Sequence, residues 1–169
     1  MKILSGLAPP VGYSIFHQHD APNNLTVFHN LEEGLAYAKE HNMPILLDFT
    51  GKACVNCRKM EEHIWTDTAV DKLLRKYVLI SLYVDSKMEL PKAEQINVPR
   101  LNEGVRLLEN YGHKWSHFQT IYFKSNSQPF YVLMDNDGKT LLTKPVGYTP
   151  DVESYKTFLH SGLDTFNEK

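Results

Sequence analysis

The sequence predicts an α/β domain in which a mixed central β-sheet is flanked by helices. Two apolar runs of strand length, 44–49 and 77–85, have the composition of buried strands. A helical segment precedes each run, and this alternation of helix and strand favours parallel pairing. An Asp137-Gly138 turn after a third apolar run predicts an antiparallel hairpin near the carboxyl terminus. The sheet should therefore contain strand pairs of both kinds.

The length and composition are those of one globular domain. The chain has 169 residues, of which 42% are apolar and 22% charged, which is enough to bury a core without disulfide staples. The formal net charge of -2 argues against nucleic acid or an anionic membrane surface as a partner, because both favour a basic protein. No run approaches the roughly 20 apolar residues of a membrane span.

The amino-terminal part divides into an arm and the start of the domain. Residues 1–24 are rich in Pro, Gly, Asn and His and predict a linker, whereas residues 25–169 carry the expected domain. A weak alternation over 25–29 predicts a short strand. Asn30 is a suitable N-cap for a helix over 31–40, because an Asn side chain can accept a hydrogen bond from an exposed N–H of the first turn.

The rest of the chain shows the same kinds of pattern with one irregular stretch. Between 86 and 112 the periodicity is poor, and Val105, Leu107 and Leu108 predict a short helix there. The further elements expected are helices over 58–65, 70–76 and 113–123, a strand over 130–134 with a hairpin partner over 140–143, and a last helix over 150–166.

The two cysteines, Cys54 and Cys57, form a CxxC pair between a buried strand and a helix. A small secreted domain held by structural disulfides would use more cysteines, placed further apart. Unpaired N–H groups and the dipole at a helix start stabilise a thiolate, so the pKa of Cys54 should fall below the free value of about 8.5. We therefore expect Cys54 to attack as the nucleophile and Cys57, one turn deeper, to resolve the mixed disulfide.

A metal site is an alternative interpretation of the same pair. A CxxC motif can supply half of a zinc site, but it then needs two more Cys or His ligands. The chain has eight histidines, and His113 and His117 stand at i and i+4 on a predicted helix. The position between a strand and a helix favours redox chemistry, and we expect no metal ion and no cofactor.

Asp48 lies in the middle of an apolar run, where an unpaired carboxylate is costly to bury. Burial would raise its pKa and let it exchange a proton near neutral pH. Cys57 must lose a proton before it attacks the mixed disulfide, and a carboxylate close to it could accept that proton. The alternative is a carboxyl group at an exposed edge or at a helix cap.

The segment from Pro44 to Glu61 resembles the thioredoxin superfamily and, more closely, the C-terminal periplasmic domain of the DsbD family of thiol:disulfide interchange proteins. The resemblance extends over residues 25–166 and implies a thioredoxin fold with protein-disulfide reductase activity. Residues 4–10 also resemble the linker that follows the membrane region in such chains. This implies a periplasmic location, as a domain of an inner-membrane protein.

The resemblance assigns catalytic roles to four residues. Cys54 matches the family's nucleophile, and Cys57 matches its resolving thiol. Asp48 matches the buried aspartate that handles protons, and Glu61 matches a second acid near the cysteines. From the residues alone, Glu61 would be an ordinary exposed helix residue.

The resemblance also implies a partner-binding surface. Gln128-Pro129 matches the cis peptide that faces the disulfide, and Gly147 matches a glycine where partners approach. The Val55-Asn56 dipeptide between the cysteines belongs to the same surface and differs from the Gly-Pro of thioredoxin. Two further positions depart from the family pattern, because Ala53 replaces the usual tryptophan and Ser81 stands where thioredoxin has a lysine.

The function implied by the resemblance is an electron relay. The cysteine pair would take electrons from a membrane-embedded cysteine pair and pass them to a periplasmic acceptor that supports disulfide isomerisation or cytochrome c biogenesis. A free-standing thioredoxin-like oxidoreductase is the nearer alternative, and a Cys/His metal-binding module is the alternative from a different class. The expected partners are thus thiol or disulfide proteins and no nucleic acid.

Overall fold

The computed structural model describes residues 22–100 and 102–169. The segment 4–10 and most of the arm expected over 1–24 lie outside these residues, and Pro22–Asn24 forms a 3-10 turn before the first strand. In the described part of the chain, no helix combines the length and the apolar character needed to cross a lipid bilayer.

The described residues form six strands and five α-helices. The strands are β1 (Val27–Phe28), β2 (Ile45–Thr50), β3 (Val78–Tyr83), β4 (Asn97–Pro99), β5 (Val105–Leu107) and β6 (Phe130–Met134). The helices are α1 (Leu31–His41), α2 (Val55–Lys59), α3 (Thr68–Leu74), α4 (Tyr111–Phe123) and α5 (Val152–Asn167). A π-helical turn, Met60–Ile64, continues α2, and the two together are called the CxxC helix below.

The central sheet has the strand order β1-β3-β2-β6. β3 pairs in parallel with β1 and β2, whereas β6 runs antiparallel to β2. This topology confirms the mixed sheet flanked by helices that the sequence predicts. In its register, Asp48 of β2 lies beside Ser81 of β3 and Tyr131 of β6.

Side chains of β2 alternate between two helical layers, and every residue of the strand is buried. Leu47 and Phe49 belong to the core cluster that includes side chains of α1 and α4. Leu46 belongs to the opposite cluster, together with Met60 and other side chains of the CxxC helix. Because residues two positions apart in a strand share a face, Asp48 lies on the same face as Leu46, towards the CxxC helix.

Side-chain caps start two of the helices where the sequence predicts them. Asn30 Oδ1 accepts a hydrogen bond from Glu33 N at 3.0 Å before α1. Asp151 Oδ2 accepts one from Ser154 N at 2.8 Å before α5. Each cap satisfies an N–H group that has no partner inside its helix, which fixes the helix start.

The prediction of a short helix from Val105, Leu107 and Leu108 is wrong. β4 and β5 form an antiparallel hairpin between β3 and α4. Gly104 turns the chain there with a φ of 82°, a left-handed conformation that suits glycine. Leu108 packs with Val98, whereas Val105 and Leu107 are exposed. Three apolar residues so close together fit a strand as well as a helix, and pairing with β4 decides between them.

The hairpin partner predicted over 140–143 forms only in part. Gly138 has the left-handed φ of 70° that the Asp137-Gly138 turn requires. In the described residues, single bridges rather than a continuous strand join the following segment to β6, and the second bridge pairs Val146 with Tyr131. The first bridge pairs Leu141 with Met134, so four residues of this segment lie between the bridges against two of β6, and this bulge interrupts the ladder.

Candidate active site

Cys54 and Cys57 form a disulfide at the start of the CxxC helix. Cys54 is the N-cap of this helix, which begins at Val55 and so earlier than the predicted 58–65, and Cys54 Sγ accepts a hydrogen bond from Cys57 N at 3.2 Å. Cys54 is partly exposed, whereas Cys57 is 2% exposed. A partner protein can therefore reach the first sulfur atom but not the second.

Asp85 holds the loop that leads into Cys54, although no sequence pattern indicates this role. Its carboxylate accepts hydrogen bonds from Lys52 N and Ala53 N, each at 3.0 Å. Burial works to raise the pKa of Asp85, but these N–H donors outweigh that effect and lower its pKa overall. Asp85 follows β3, which runs parallel to β2, so the carboxyl ends of both strands lie at the same edge of the sheet. The position of an acidic residue just after β3 is the one signal in the sequence that could have placed it near the cysteine loop.

Asp48 is buried, with 3% of its surface exposed. Ser81 Oγ donates a hydrogen bond to Asp48 Oδ2 at 3.1 Å, and within the described residues Asp48 Oδ1 has no hydrogen-bond partner. Ser81 therefore contacts the aspartate from the position where thioredoxin has a lysine. A neutral hydroxyl group has no positive charge that would stabilise the ionised carboxylate. The ionised form of Asp48 therefore gains no ion pair at this position.

The environment of Asp48 shifts its pKa towards neutral pH. Burial and, secondly, the negative charge of Glu61 raise the pKa of Asp48 to about 8, although the hydrogen bond from Ser81 lowers it. Glu61 lies partly buried on the π-helical turn, so the structure brings the two predicted acids into electrostatic contact. A carboxyl group with such a pKa can both accept and release a proton near neutral pH.

Pro129 and Gly147 lie together at the amino end of β6. The Gln128-Pro129 peptide is cis, as the family resemblance implies. The bridge between Val146 and Tyr131 brings Gly147 beside the proline, where a Cβ atom on Gly147 would lie 3.6 Å from Pro129 O. Pro129 is buried and Gly147 is partly exposed, so the two residues form one continuous piece of backbone at this end of the sheet.

The predicted partner-binding residues share one end of the sheet. Phe130 pairs with Phe49 in the antiparallel register, so Pro129 lies at the end of β2 from which the chain continues to the cysteines. Val55 is 66% exposed and Asn56 is also exposed. Both therefore present their side chains to solvent next to the reachable sulfur of Cys54.

The residues considered for a metal site do not cluster. Among residues 22–100 and 102–169, no three His, Cys, Asp or Glu side chains form a group that could hold a metal ion. His113 Nδ1 accepts a hydrogen bond from Glu109 N at 3.3 Å, next to the start of α4. The sulfur atoms of the two cysteines are bonded to each other.

Known sequences resemble this chain in the same region. The family profile described as a thioredoxin-like domain matches residues 31–161. The thiol:disulfide interchange protein DsbD of Vibrio vulnificus (strain CMCP6) is 34% identical over 70 residues. That alignment covers 39% of this chain and 12% of the DsbD chain, so it spans only a small part of the longer protein.

Two solved structures show the fold. The oxidoreductase DsbH superposes with a TM-score of 0.56 and 20% sequence identity, over 81% of this chain and 83% of that chain. The oxidised C-terminal domain of DsbD from Neisseria meningitidis gives a TM-score of 0.52 with 12% identity, over 81% and 99% of the two chains. Together with the family profile, they establish a thioredoxin fold.

In the reduced protein, Cys54 should react with iodoacetamide about tenfold faster than Cys57 at neutral pH. Cys54 is partly exposed at a helix start, where a thiolate is stabilised, whereas Cys57 is buried. Peptide mapping by mass spectrometry after a series of short reaction times gives both rates. Equal rates would contradict the assignment of Cys54 as the nucleophile.

The Asp48→Asn variant should exceed wild type in stability by an amount that grows between pH 4 and pH 8. The folded wild type keeps the Asp48 proton up to a pKa of about 8, whereas the unfolded chain loses it above the ordinary value of 3.8. The folded state therefore binds the extra proton in this window, and wild type loses up to about 1.4 kcal/mol of stability per pH unit as the pH rises. Urea unfolding of the oxidised proteins at several pH values measures the difference.

Glu61→Gln serves as a companion variant in the same experiment. It removes the negative charge that raises the pKa of Asp48, so its loss of stability should end at a lower pH than that of wild type. A stability difference between Asp48→Asn and wild type that stays constant over the whole window would show that the pKa of Asp48 is not raised.

Proposed function

The chain belongs to the thioredoxin-like domain family, and we propose that it is a disulfide oxidoreductase that relays electrons from a membrane-embedded cysteine pair to extracytoplasmic partner proteins. The observation that carries the proposal is an exposed and a shielded cysteine beside a buried, titratable Asp48, in a chain similar to part of DsbD. In this role the disulfide is the state that accepts electrons, and the dithiol is the state that donates them.

Electron uptake begins at the reachable sulfur atom. A thiolate of the membrane pair attacks Cys54 Sγ, the Cys54–Cys57 bond breaks, and Cys57 leaves as a thiolate that takes up a proton. The second thiol of the donor loses its proton and attacks the donor sulfur in the mixed disulfide. This releases Cys54 as a thiolate and leaves the donor as a disulfide. Two electrons have then passed to the chain, and no bound cofactor is required.

Electron delivery uses the same bonds in the opposite direction. The Cys54 thiolate attacks a partner disulfide and expels one partner thiolate, which takes up a proton. Cys57 then loses its proton and attacks Cys54 Sγ, which expels the second partner thiolate and restores the Cys54–Cys57 disulfide. Because Cys57 is buried, water is not freely available to accept its proton. Asp48, which faces the CxxC helix, accepts that proton, and Glu61 adjusts the pKa at which it does so.

The other residues at this end of the sheet position the partners. Val55, Asn56, Gln128-Pro129 and Gly147 form the surface against which a partner aligns its cysteine with Cys54 Sγ. Asp85 fixes the loop before Cys54 and thereby the direction in which that sulfur points. Exchange requires the three sulfur atoms of the mixed-disulfide step to come into line, so such positioning acts directly on the rate.

The relay can be tested in Vibrio vulnificus cells in which residues 1–169 replace the matching part of DsbD. The Cys54–Cys57 pair should be mostly reduced when the membrane cysteines of that protein are intact, and oxidised when they are changed to serine. Acid quenching and alkylation with a maleimide that adds mass report the redox state on a gel. Fully reduced and fully oxidised samples of the same chimera supply the reference bands.

The same redox state in both strains would contradict the relay. That outcome would assign the chain to the alternative, a free-standing oxidoreductase that receives electrons from other thiols. The purified chain would then still reduce a protein disulfide in the presence of dithiothreitol, because that reaction does not depend on a membrane donor.

A further inference from the structure

Gln119 is a buried polar residue to which the exchange chemistry described above gives no role. It lies on α4, and its side chain is 0% exposed. A primary amide in an apolar core is costly unless hydrogen bonds satisfy it. The hydrogen-bond partners of Gln119 therefore indicate its role in the structure.

Both ends of the Gln119 amide contact the segment before Pro129. Gln119 Nε2 donates a hydrogen bond to Ser127 O at 2.9 Å. Gln119 Oε1 accepts one from Gln128 Nε2 at 3.0 Å, and Gln128 Nε2 also donates to Asn126 O at 2.9 Å. One buried amide thus binds the main chain of one loop residue and the side chain of the next.

The two elements on either side of this loop are fixed by aromatic packing. Phe123, at the end of α4, has its ring centre 6.1 Å from that of Phe130, the first residue of β6. Phe49 of β2 packs against both rings, at 5.7 Å and 6.2 Å. The loop from 124 to 129 therefore connects two elements that pack against each other. The buried amide of Gln119 forms hydrogen bonds with residues in the second half of this loop.

We infer that Gln119 is a positioning residue that fixes the backbone of Ser127 and Gln128 in the conformation that receives the polypeptide of a partner. The inference rests on the proposed function in so far as this loop, next to Pro129, is the partner-facing surface. Gln119 touches neither sulfur atom in this role. It should govern exchange with protein disulfides, which must align along the loop, and leave exchange with small disulfides unchanged.

The chemistry of the side chain explains why an amide serves here. Holding the loop requires a donor for Ser127 O and an acceptor for Gln128 Nε2 at the end of one side chain. A methionine has a similar length and flexibility but offers neither a strong donor nor a strong acceptor. Gln119→Met therefore removes both hydrogen bonds with little change in volume.

The test compares a protein disulfide with a small one. For insulin, chains of residues 1–169 turn over with dithiothreitol as the electron donor, and the rate is measured over a range of insulin concentrations. For 5,5'-dithiobis(2-nitrobenzoic acid), chains reduced beforehand and freed of other thiols are mixed with the disulfide, and the rate of the single exchange is measured. Gln119→Met should raise the KM for insulin about tenfold with kcat nearly unchanged, and it should alter the rate with the small disulfide less than about twofold.

Gln95→Met is the matched control. Gln95 Nε2 also donates to a main-chain carbonyl, Leu90 O, at 2.9 Å, but this bond lies within the segment between β3 and α4 and does not involve the loop before Pro129. This variant should react like wild type with both substrates. Equal losses of Gln119→Met with insulin and with the small disulfide, or no loss with either, would overturn the inference.

A second variant keeps the test decisive if Gln119→Met folds poorly. Gln128 is only partly buried, and Gln128→Met removes the hydrogen bond to Gln119 Oε1 together with the one to Asn126 O, but keeps that between Gln119 and Ser127. It should raise the KM for insulin in the same direction but less, and an unchanged KM would overturn the inference. Failure of the proposed oxidoreductase role would look different, because wild type would then not accelerate the reduction of insulin, although its thiols would still react with the small disulfide.

Discussion

Burial of a single carboxyl group, that of Asp48, is the constraint on which the rest of the site depends. β2 carries it into the middle of the sheet, between Ser81 and Tyr131. Burial and the negative charge of Glu61 disfavour ionisation, so the carboxyl group keeps its proton until about pH 8. The same strand ends just before the loop to Cys54, so one element supports both the proton acceptor and the nucleophile.

Two aspartates near the cysteines show how their surroundings separate their roles. Asp85 is exposed and accepts hydrogen bonds from two backbone N–H groups, so it stays ionised and fixes the loop before Cys54. Asp48 is buried and accepts a hydrogen bond from a neutral hydroxyl group, so it is the one that titrates near neutral pH. The exchange reaction needs both properties at once, a fixed nucleophile and a proton acceptor for the shielded thiol.

The features that the sequence predicts correctly depend on neighbours along the chain. The apolar run of β2, the cap at Asn30 and the place of the cysteines between a strand and a helix are local patterns, and burial of Asp48 follows from the run around it. The hairpin of β4 and β5 was missed because a few apolar residues fit either periodicity. Asp85 acts on a segment distant in sequence, and Gln119 bonds to a loop that has no regular periodicity, so only the folded chain shows their partners.

The most direct test of this account is the rate at which Cys57 resolves a mixed disulfide on Cys54, measured from about pH 6 to pH 9 in wild type and in Asp48→Asn. The release of 5-thio-2-nitrobenzoate from the Cys54 adduct gives this rate in a stopped-flow experiment. The wild-type rate should rise with pH towards the pKa of Asp48 at about 8, and the variant should be at least about tenfold slower at neutral pH. Equal rates at every pH would contradict it.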